Sequence, residues 1–184
     1  MNNILLKDLF RYEGENCHNI KEKLKYIFFV PGYTYTFFYR KSKAGHLRHL
    51  YRMLLRLTSY ITHIQIPYQT QIGEGLYIGH FGSIIVNPDA VIGKNFCISV
   101  GTLVGNALGK KKGVPTIGDN VFMGRNSIVI GNVTIGNNVL IAPGAFVNFD
   151  VPDNSIVIGN PGQIIPKDSS PTEKYIVYPV ERFA

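Results

Sequence analysis

One histidine has the chemistry and the setting of a proton-transfer group. His80 directly follows Gly79 in the run IGHFGS, among residues that are mostly small or apolar. An imidazole titrates at a pKa of about 6.5, so near neutral pH it can take a proton from a hydroxyl group and later return it. The sequence therefore makes His80 the first candidate for a catalytic general base.

Composition and charge narrow the class of protein. Hydrophobic residues make up 45% and charged residues 17% of the 184 residues, which is typical of one folded domain. The net charge is +7, and residues 21–56 carry nine lysines or arginines against Glu22 alone. This segment is either a solvated helix face or a surface for anionic lipid or a large anionic substrate. We expect no nucleic-acid partner.

The chain shows no sign of export or of spanning a membrane. Its start lacks the pattern of a signal peptide, and its longest apolar runs are far shorter than a bilayer requires. Cys17 and Cys97 are too few for a disulfide framework and favour a reducing compartment. We therefore expect a cytoplasmic protein, with peripheral membrane contact through the basic segment left open.

After residue 65 the sequence repeats every six residues. An aliphatic residue or methionine begins each block, as in IPYQTQ, IGEGLY, IGHFGS, VNPDAV, IGKNFC, ISVGTL, IGDNVF, MGRNSI, VIGNVT, IGNNVL and IAPGAF. A period of six fits neither an α-helix nor a β-strand, but it fits a chain that turns a corner every six residues. The first residue of a block points into a prism-shaped core. So does a small residue four places later, such as Gly82, Ser127 or Ala145.

Corners and interruptions refine this prediction. Glycines and asparagines at the corners, such as Gly73, Gly93 and Asn95, tolerate left-handed backbone. The phase slips by two residues at Ile84 and Ile85, and it is lost at 105–115, which we expect to loop out of the prism.

The chain divides into three parts on these patterns. Residues 1–64 have apolar residues at helical spacing and are expected to form helices that cover the open backbone edge of the first coil. Residues 65–166 form the repeat domain. Residues 167–184 are a tail that packs on a neighbouring chain or on the helices.

The repeat is similar to that of the hexapeptide-repeat acyltransferases, and the resemblance covers roughly residues 65–166. The run GEGLYIGHFGSIIVNPDAVIGKN resembles the catalytic stretch of serine acetyltransferases and related O-acetyltransferases. This resemblance implies a mainly β fold, a left-handed parallel β-helix with an N-terminal α-helical segment. It also implies direct transfer of acetyl from acetyl-CoA to an acceptor hydroxyl with His80 as the base, in a homotrimer with sites between subunits.

The same resemblance implies which residues contact the two substrates. The residues expected to bind acetyl-CoA are Gly105, Asn106, Lys110, Lys111, Asn126, Ser127, Gly144, Ala145 and Lys167. The residues expected to bind the acceptor are Gln65, Gly79, Asn87 and Asp89. The lysines fit a solvated surface equally well, so their role stays open. His80 is the only histidine of the repeat region, and no metal is expected.

Three departures from serine acetyltransferases bear on the acceptor. Gly79 stands where that family has an aspartate, Gly113 and Val114 stand in place of an arginine and a histidine, and Gln65 replaces an aspartate that orients the catalytic histidine. Gln65 or a backbone carbonyl would then orient His80. A site without these charges should select an amino acid poorly, so we expect a neutral acceptor.

Three functions follow, in order of preference. The first is O-acetylation of a sugar in a surface polysaccharide, because VPGYTYTFFYRK resembles a segment of capsule-type acetyltransferases. The second is serine O-acetylation for cysteine biosynthesis. The third is a non-catalytic β-helix scaffold, which His80 and the loop at 105–115 disfavour.

Overall fold

The computed structural model describes residues 3–183. Helices come first and short strands follow. The helices are α1 (Asn3–Glu13), α2 (Ile20–Phe29), α3 (Pro31–Lys41) and α4 (Arg48–Thr62), with short 3₁₀ helices at Gly14–His18 and Val180–Arg182. Pro31 opens α3, where its missing N–H and fixed φ cost nothing.

The strands form three sheets, which are the faces of a left-handed parallel β-helix, and this confirms the predicted fold. Face A contains β1 (Ile64–Gln65), β4 (Ile84–Val86), β7 (Leu103–Gly105), β10 (Ile128–Ile130) and β13 (Phe146–Val147). Face B contains β2 (Gln71–Ile72), β5 (Val91–Ile92), β8 (Thr116–Ile117) and β11 (Thr134–Ile135). Face C contains β3 (Tyr77–Ile78), β6 (Cys97–Ile98), β9 (Phe122–Met123), β12 (Leu140–Ile141), β14 (Ser155–Ile158) and β15 (Gln163–Pro166).

The strand register locates the two-residue slip of the repeat. Ile64 pairs with Ile84, which is two residues more than three blocks of six. Both side chains are fully buried, so Ile84 fills the inward place directly below Ile64. The prediction that Gly82 takes this place is wrong. The two extra residues lie in the turn 79–83, which they lengthen around His80.

Asparagines hold the corner between face B and face C. Asn95, Asn120, Asn138 and Asn154 have φ between 52° and 56°, the left-handed region predicted for corners. Each side-chain amide donates to the next asparagine's Oδ1, at 2.9, 3.1 and 2.9 Å down the stack. These bonds tie consecutive coils together and satisfy polar groups that are partly buried.

The glycines of this corner have a different role from the predicted one. Gly73, Gly93, Gly118 and Gly136 do not have positive φ. A Cβ on Gly73 would lie 2.7 Å from the backbone of Gly93, and one on Gly118 would lie 2.9 Å from that of Gly136. The coils stack too closely here for any side chain, so close packing and not backbone conformation requires glycine.

Side chains of α1 and α3 cover the open edge of the first coil, as the sequence led us to expect. From α3, the Tyr35 hydroxyl accepts from Ile66 N–H (2.9 Å) and donates to its carbonyl (3.0 Å), while Tyr39 donates to the carbonyl of Thr70 (2.6 Å). From α1, the Tyr12 hydroxyl bonds in the same two-way manner to Ile78. The edge groups, which no further coil can pair, are thus satisfied by helix side chains.

A buried ion pair completes this cap. Asp8 of α1 and Arg40 of α3 meet at 2.8 Å, with 0% and 4% of their side chains exposed. Asp8 Oδ1 also accepts from the N–H groups of Gly75 (2.8 Å) and Leu76 (2.9 Å), and Arg40 donates to the carbonyls of Ile72 and Gly73. Both charges are therefore fully hydrogen-bonded to the edge of the coil.

We expect Gly32→Ala to destabilise the junction between the helices and the coil. A Cβ on Gly32 of α3 would overlap the carbonyl oxygen of Ile78 and approach its Cβ at 3.1 Å. Forcing α3 away from the coil should cost about 1–3 kcal/mol, as overpacking does. Urea unfolding at a fixed protein concentration measures the loss. Gly109→Ala is the control, because nothing lies within 4 Å of that Cβ, and an equal midpoint for both variants would contradict the prediction.

The last coil ends the prism, and the tail covers the corner between faces B and C. Strand β15 pairs antiparallel with β14 and ends the parallel stack. The tail then runs back along the corner between faces B and C, where Asn95 Oδ1 accepts from Val180 N–H at 2.9 Å. It reaches α1, where Arg11 donates to the carbonyl of Val177. The tail therefore packs on the helices of its own chain.

Two helices keep apolar side chains at the surface. Along α4 these are Leu50, Met53, Leu57, Tyr60 and Ile61, and along α2 they are Ile20, Leu24, Phe28 and Phe29. Within residues 3–183, no helix is both long enough and apolar enough to cross a membrane. Membrane contact through this basic, amphipathic segment stays a prediction.

Candidate active site

His80 lies on a turn that the fold holds in place. The His80 turn, residues 79–83, joins β3 to β4 at the corner between faces C and A. Gly82 N–H donates to the carbonyl of Thr62 at 2.9 Å, and Ile84 N–H donates to that of His63 at 3.2 Å. On the opposite side, Gly101 N–H donates to the carbonyl of Ser83 at 2.7 Å. The end of α4 and the next coil thus fix the backbone of residues 82–84, directly after His80, whose side chain is exposed.

Some of the expected acetyl-CoA residues stack below His80 at the same corner. Asn126 and Gly144 have φ of 57° and 73°, and both are exposed. Nothing lies within 4 Å of a Cβ placed on Gly144, so the surface there is open. Ser127 and Ala145 are fully buried, so within one chain neither presents a surface to a ligand. Asn126 and Gly144 therefore lie at the same corner as His80, and the surface is open at Gly144.

The loop at 105–115 projects from the next corner, between faces A and B. Ala107 and Gly113 pair their backbones in both directions, at 3.0 and 3.2 Å, so the loop is a small hairpin. Lys111 binds Asp150 at 3.1 Å, whereas Lys110 is exposed and forms no ion pair with the residues described. Gly105 is buried at the base of the hairpin, and Asn106 is exposed.

Most of the remaining expected contacts lie away from His80 within one chain. Asn87 and Asp89 form the turn of the A–B corner, where Asn87 Oδ1 accepts from Asp89 N–H at 3.0 Å. Lys167 N–H donates to the carbonyl of Asn154, at the B–C corner. Gly79 borders His80, and Gln65 is exposed on face A. The structure therefore brings His80, Gly79, Asn126 and Gly144 to one corner and leaves the lysines on the other two.

A cleft that the sequence did not indicate opens beside the His80 turn. The α4 cleft lies between α4 and the segment 63–69, and its volume is about 740 Å³. Its polar lining residues are Tyr35, Arg52, Arg56, Ser59, Tyr60, His63, Gln65, Tyr68 and Gln69. The basic run at 21–56 already contained both arginines, but only the docking of α4 on the first coil shows that they share a cavity.

Cys97 lies buried in β6 of face C. Burial raises the pKa of the Cys97 thiol to about 12, because its thiolate would lose its water, and this makes it a poor nucleophile. Among the described residues, no three histidine, cysteine, aspartate or glutamate side chains come together as metal ligands would.

Comparison with known proteins agrees with this architecture. Residues 115–148 match the family described as bacterial transferase hexapeptide (six repeats). The serine acetyltransferase of Helicobacter pylori 26695 is 33% identical over 153 residues, which are 80% of this chain and 89% of that protein. The serine acetyltransferase of Synechococcus elongatus is 34% identical over 116 residues, 62% of this chain, but the match spans only 47% of that longer protein.

A solved structure is similar over most of the chain. The serine acetyltransferase of Neisseria gonorrhoeae in complex with serine superposes with a TM-score of 0.72 and 27% identity, covering 87% of this chain and 67% of that one. These names give no support to the prediction of a surface-polysaccharide enzyme. Together with the repeat, the His80 turn and the projecting hairpin, the likeness to the Helicobacter protein over nearly its whole length shows that this chain belongs to the serine acetyltransferase family.

Proposed function

We propose that this chain is an acetyl-CoA-dependent O-acetyltransferase with His80 as its general base and L-serine as the acceptor. The observation that carries the proposal is the position of His80. Its side chain is exposed on a turn that hydrogen bonds to the end of α4 and to the next coil hold in place, at the same corner as Asn126 and the open surface at Gly144. The family relatives named above are serine acetyltransferases, which supports serine as the acceptor.

The proposed reaction is a direct transfer. The imidazole of His80 takes the proton of the acceptor hydroxyl as its oxygen attacks the thioester carbonyl. Backbone N–H groups along the corner are suited to stabilising the oxyanion that forms. The imidazolium then returns the proton to the leaving thiolate, so acetyl passes to the acceptor without a covalent enzyme intermediate.

The separation of the expected contacts supports a site between chains. His80, Asn126 and Gly144 lie at the C–A corner, whereas Lys110 lies on a hairpin at the A–B corner. One chain cannot bring these two corners together, but a neighbour in a closed ring can. We therefore propose that the chain acts as a homotrimer with acetyl-CoA bound between subunits. A monomeric mass at assay concentration, in a protein that is active, would contradict this arrangement.

A second acceptor class is favoured by one observation. The His80 turn carries no charged group, because Gly79 stands beside the histidine where the resemblance implies an aspartate. A neutral hydroxyl compound such as a sugar would lose nothing by this absence, whereas the ammonium of serine would lose a partner.

Thiol release from acetyl-CoA tests the function and separates the two acceptors. We expect saturable release that depends on L-serine, measured beside a panel of neutral sugars and nucleotide sugars. A sugar with the higher kcat/KM would favour the second acceptor. Release that no hydroxyl compound stimulates would contradict the proposed function altogether.

A further inference from the structure

The α4 cleft adjoins the segment that holds the His80 turn. His63 and Gln65 line the cleft, and the carbonyls of Thr62 and His63 accept the hydrogen bonds that hold the turn. At about 740 Å³ the cleft is much larger than a single ion needs. A small molecule lying in it would contact the residues whose backbone holds this turn.

The guanidinium of Arg52 is fixed on the wall of this cleft by two contacts. Its guanidinium lies 3.9 Å from the ring centroid of Tyr68, and its Nε donates to the carbonyl of Ser42 at 3.2 Å. These two contacts fix the plane of the guanidinium and leave the two terminal nitrogens without a hydrogen bond to the residues described. A guanidinium fixed in this way loses little conformational freedom when it binds a planar or tetrahedral oxyanion.

No acid balances the charge of the cleft. Arg56 lies one helical turn after Arg52 and also lines the cavity, but no aspartate or glutamate does. The ion pairs found among residues 3–183 include neither arginine. Tyr60, His63 and Gln65 add hydrogen-bonding groups to the same wall. Two unpaired guanidinium groups with polar neighbours form a site that is complementary to an oxyanion.

We propose that the α4 cleft is the acceptor site and that Arg52 and Arg56 bind an oxyanion of the acceptor, a carboxylate or a phosphate group. This inference rests on the proposed function. It gives the acceptor a cationic partner from α4, whereas Gly113 and Val114 of the hairpin carry no charge. The cleft thus selects hydroxyl compounds that carry a negative group over neutral ones.

Binding can be measured without turnover, by calorimetric titration of the full-length protein. The ligands are L-serine, ethanolamine, which keeps the hydroxyl and the ammonium but lacks the carboxylate, and inorganic phosphate. We expect the wild type to bind L-serine or phosphate more tightly than ethanolamine. We expect Arg56→Gln to weaken that binding about 10- to 100-fold, as the loss of a charge-assisted hydrogen bond does. Preference for L-serine identifies a carboxylate acceptor, and preference for phosphate identifies a phosphorylated one.

Two further variants make the result specific. Arg52→Lys keeps the charge but not the two-pronged geometry and should also weaken oxyanion binding. Arg48→Gln is the control, since Arg48 lies on α4 outside the cleft and should bind like the wild type. Unchanged oxyanion binding in both Arg56→Gln and Arg52→Lys would overturn the proposal, and so would turnover of serine with an unchanged KM in Arg56→Gln. Arginine-dependent binding by a protein that transfers no acetyl would refute the proposed function and leave this site standing.

Discussion

Replacing His80 with alanine is expected to lower kcat by about 10²- to 10⁴-fold, the usual contribution of a general base. The hydroxyl of the acceptor would then have to attack the thioester while still carrying its proton. Because the His80 side chain is exposed and forms no hydrogen bond with the residues described, its removal should leave the fold and the KM for acetyl-CoA nearly unchanged. Steady-state thiol release with saturating acetyl-CoA measures the effect.

The matched control is His46→Ala. His46 is also exposed, and it lies before α4 and outside the α4 cleft. This variant should retain wild-type kcat. If His80→Ala kept more than about a tenth of the activity, the general-base role would be wrong, since a residue with that role gives an effect of at least 10².

Removing the carboxylate of Asp8 is expected to lower the free energy of unfolding by about 3–5 kcal/mol in Asp8→Ala, more than Gly32→Ala or Lys94→Ala does. The change would leave the Arg40 guanidinium buried without its counter-charge. It would also leave the N–H groups of Gly75 and Leu76 without an acceptor. Urea unfolding, followed by circular dichroism at one fixed protein concentration, measures the difference.

Two comparisons keep this prediction testable even if Asp8→Ala folds poorly. The double variant Asp8→Leu, Arg40→Met removes both charges together and should recover part of the loss. Lys94→Ala breaks an exposed ion pair with Glu181, joined at 2.9 Å, and should cost less than about 1 kcal/mol. An Asp8→Ala protein as stable as Lys94→Ala would show that the buried pair does not hold the helices on the coil.

The coil architecture could be predicted because its cause is local and periodic. Each block puts one aliphatic side chain inward, so the six-residue spacing of Ile66, Ile72 and Ile78 reports the fold directly. Asn95 and Asn120 could likewise be predicted as corner residues, because few side chains tolerate left-handed backbone. The steric reason for glycine at position 73 could not be predicted, since it depends on how closely two coils stack.

The surroundings of His80 depend on tertiary contacts, which the six-residue repeat of the sequence does not predict. Gln65 and Gly79 could be placed near it by resemblance, but the α4 cleft arises from the way α4 lies across the first coil. Arg52 and Arg56 belong to a basic run that predicts only a charged surface. The distinction between a solvated arginine and one fixed over Tyr68 is a matter of tertiary packing, and it appears only in the structure.

The order of the cap and the coils along the chain has a consequence for synthesis. The groups that satisfy the open edge of the first coil, among them Tyr12, Tyr35 and Arg40, all precede that coil in sequence. They therefore leave the ribosome first, and the first coil can form against a finished helical surface. Each later coil then finds a complete edge on which to pair, so the prism can grow in one direction without exposing unpaired strands at its start.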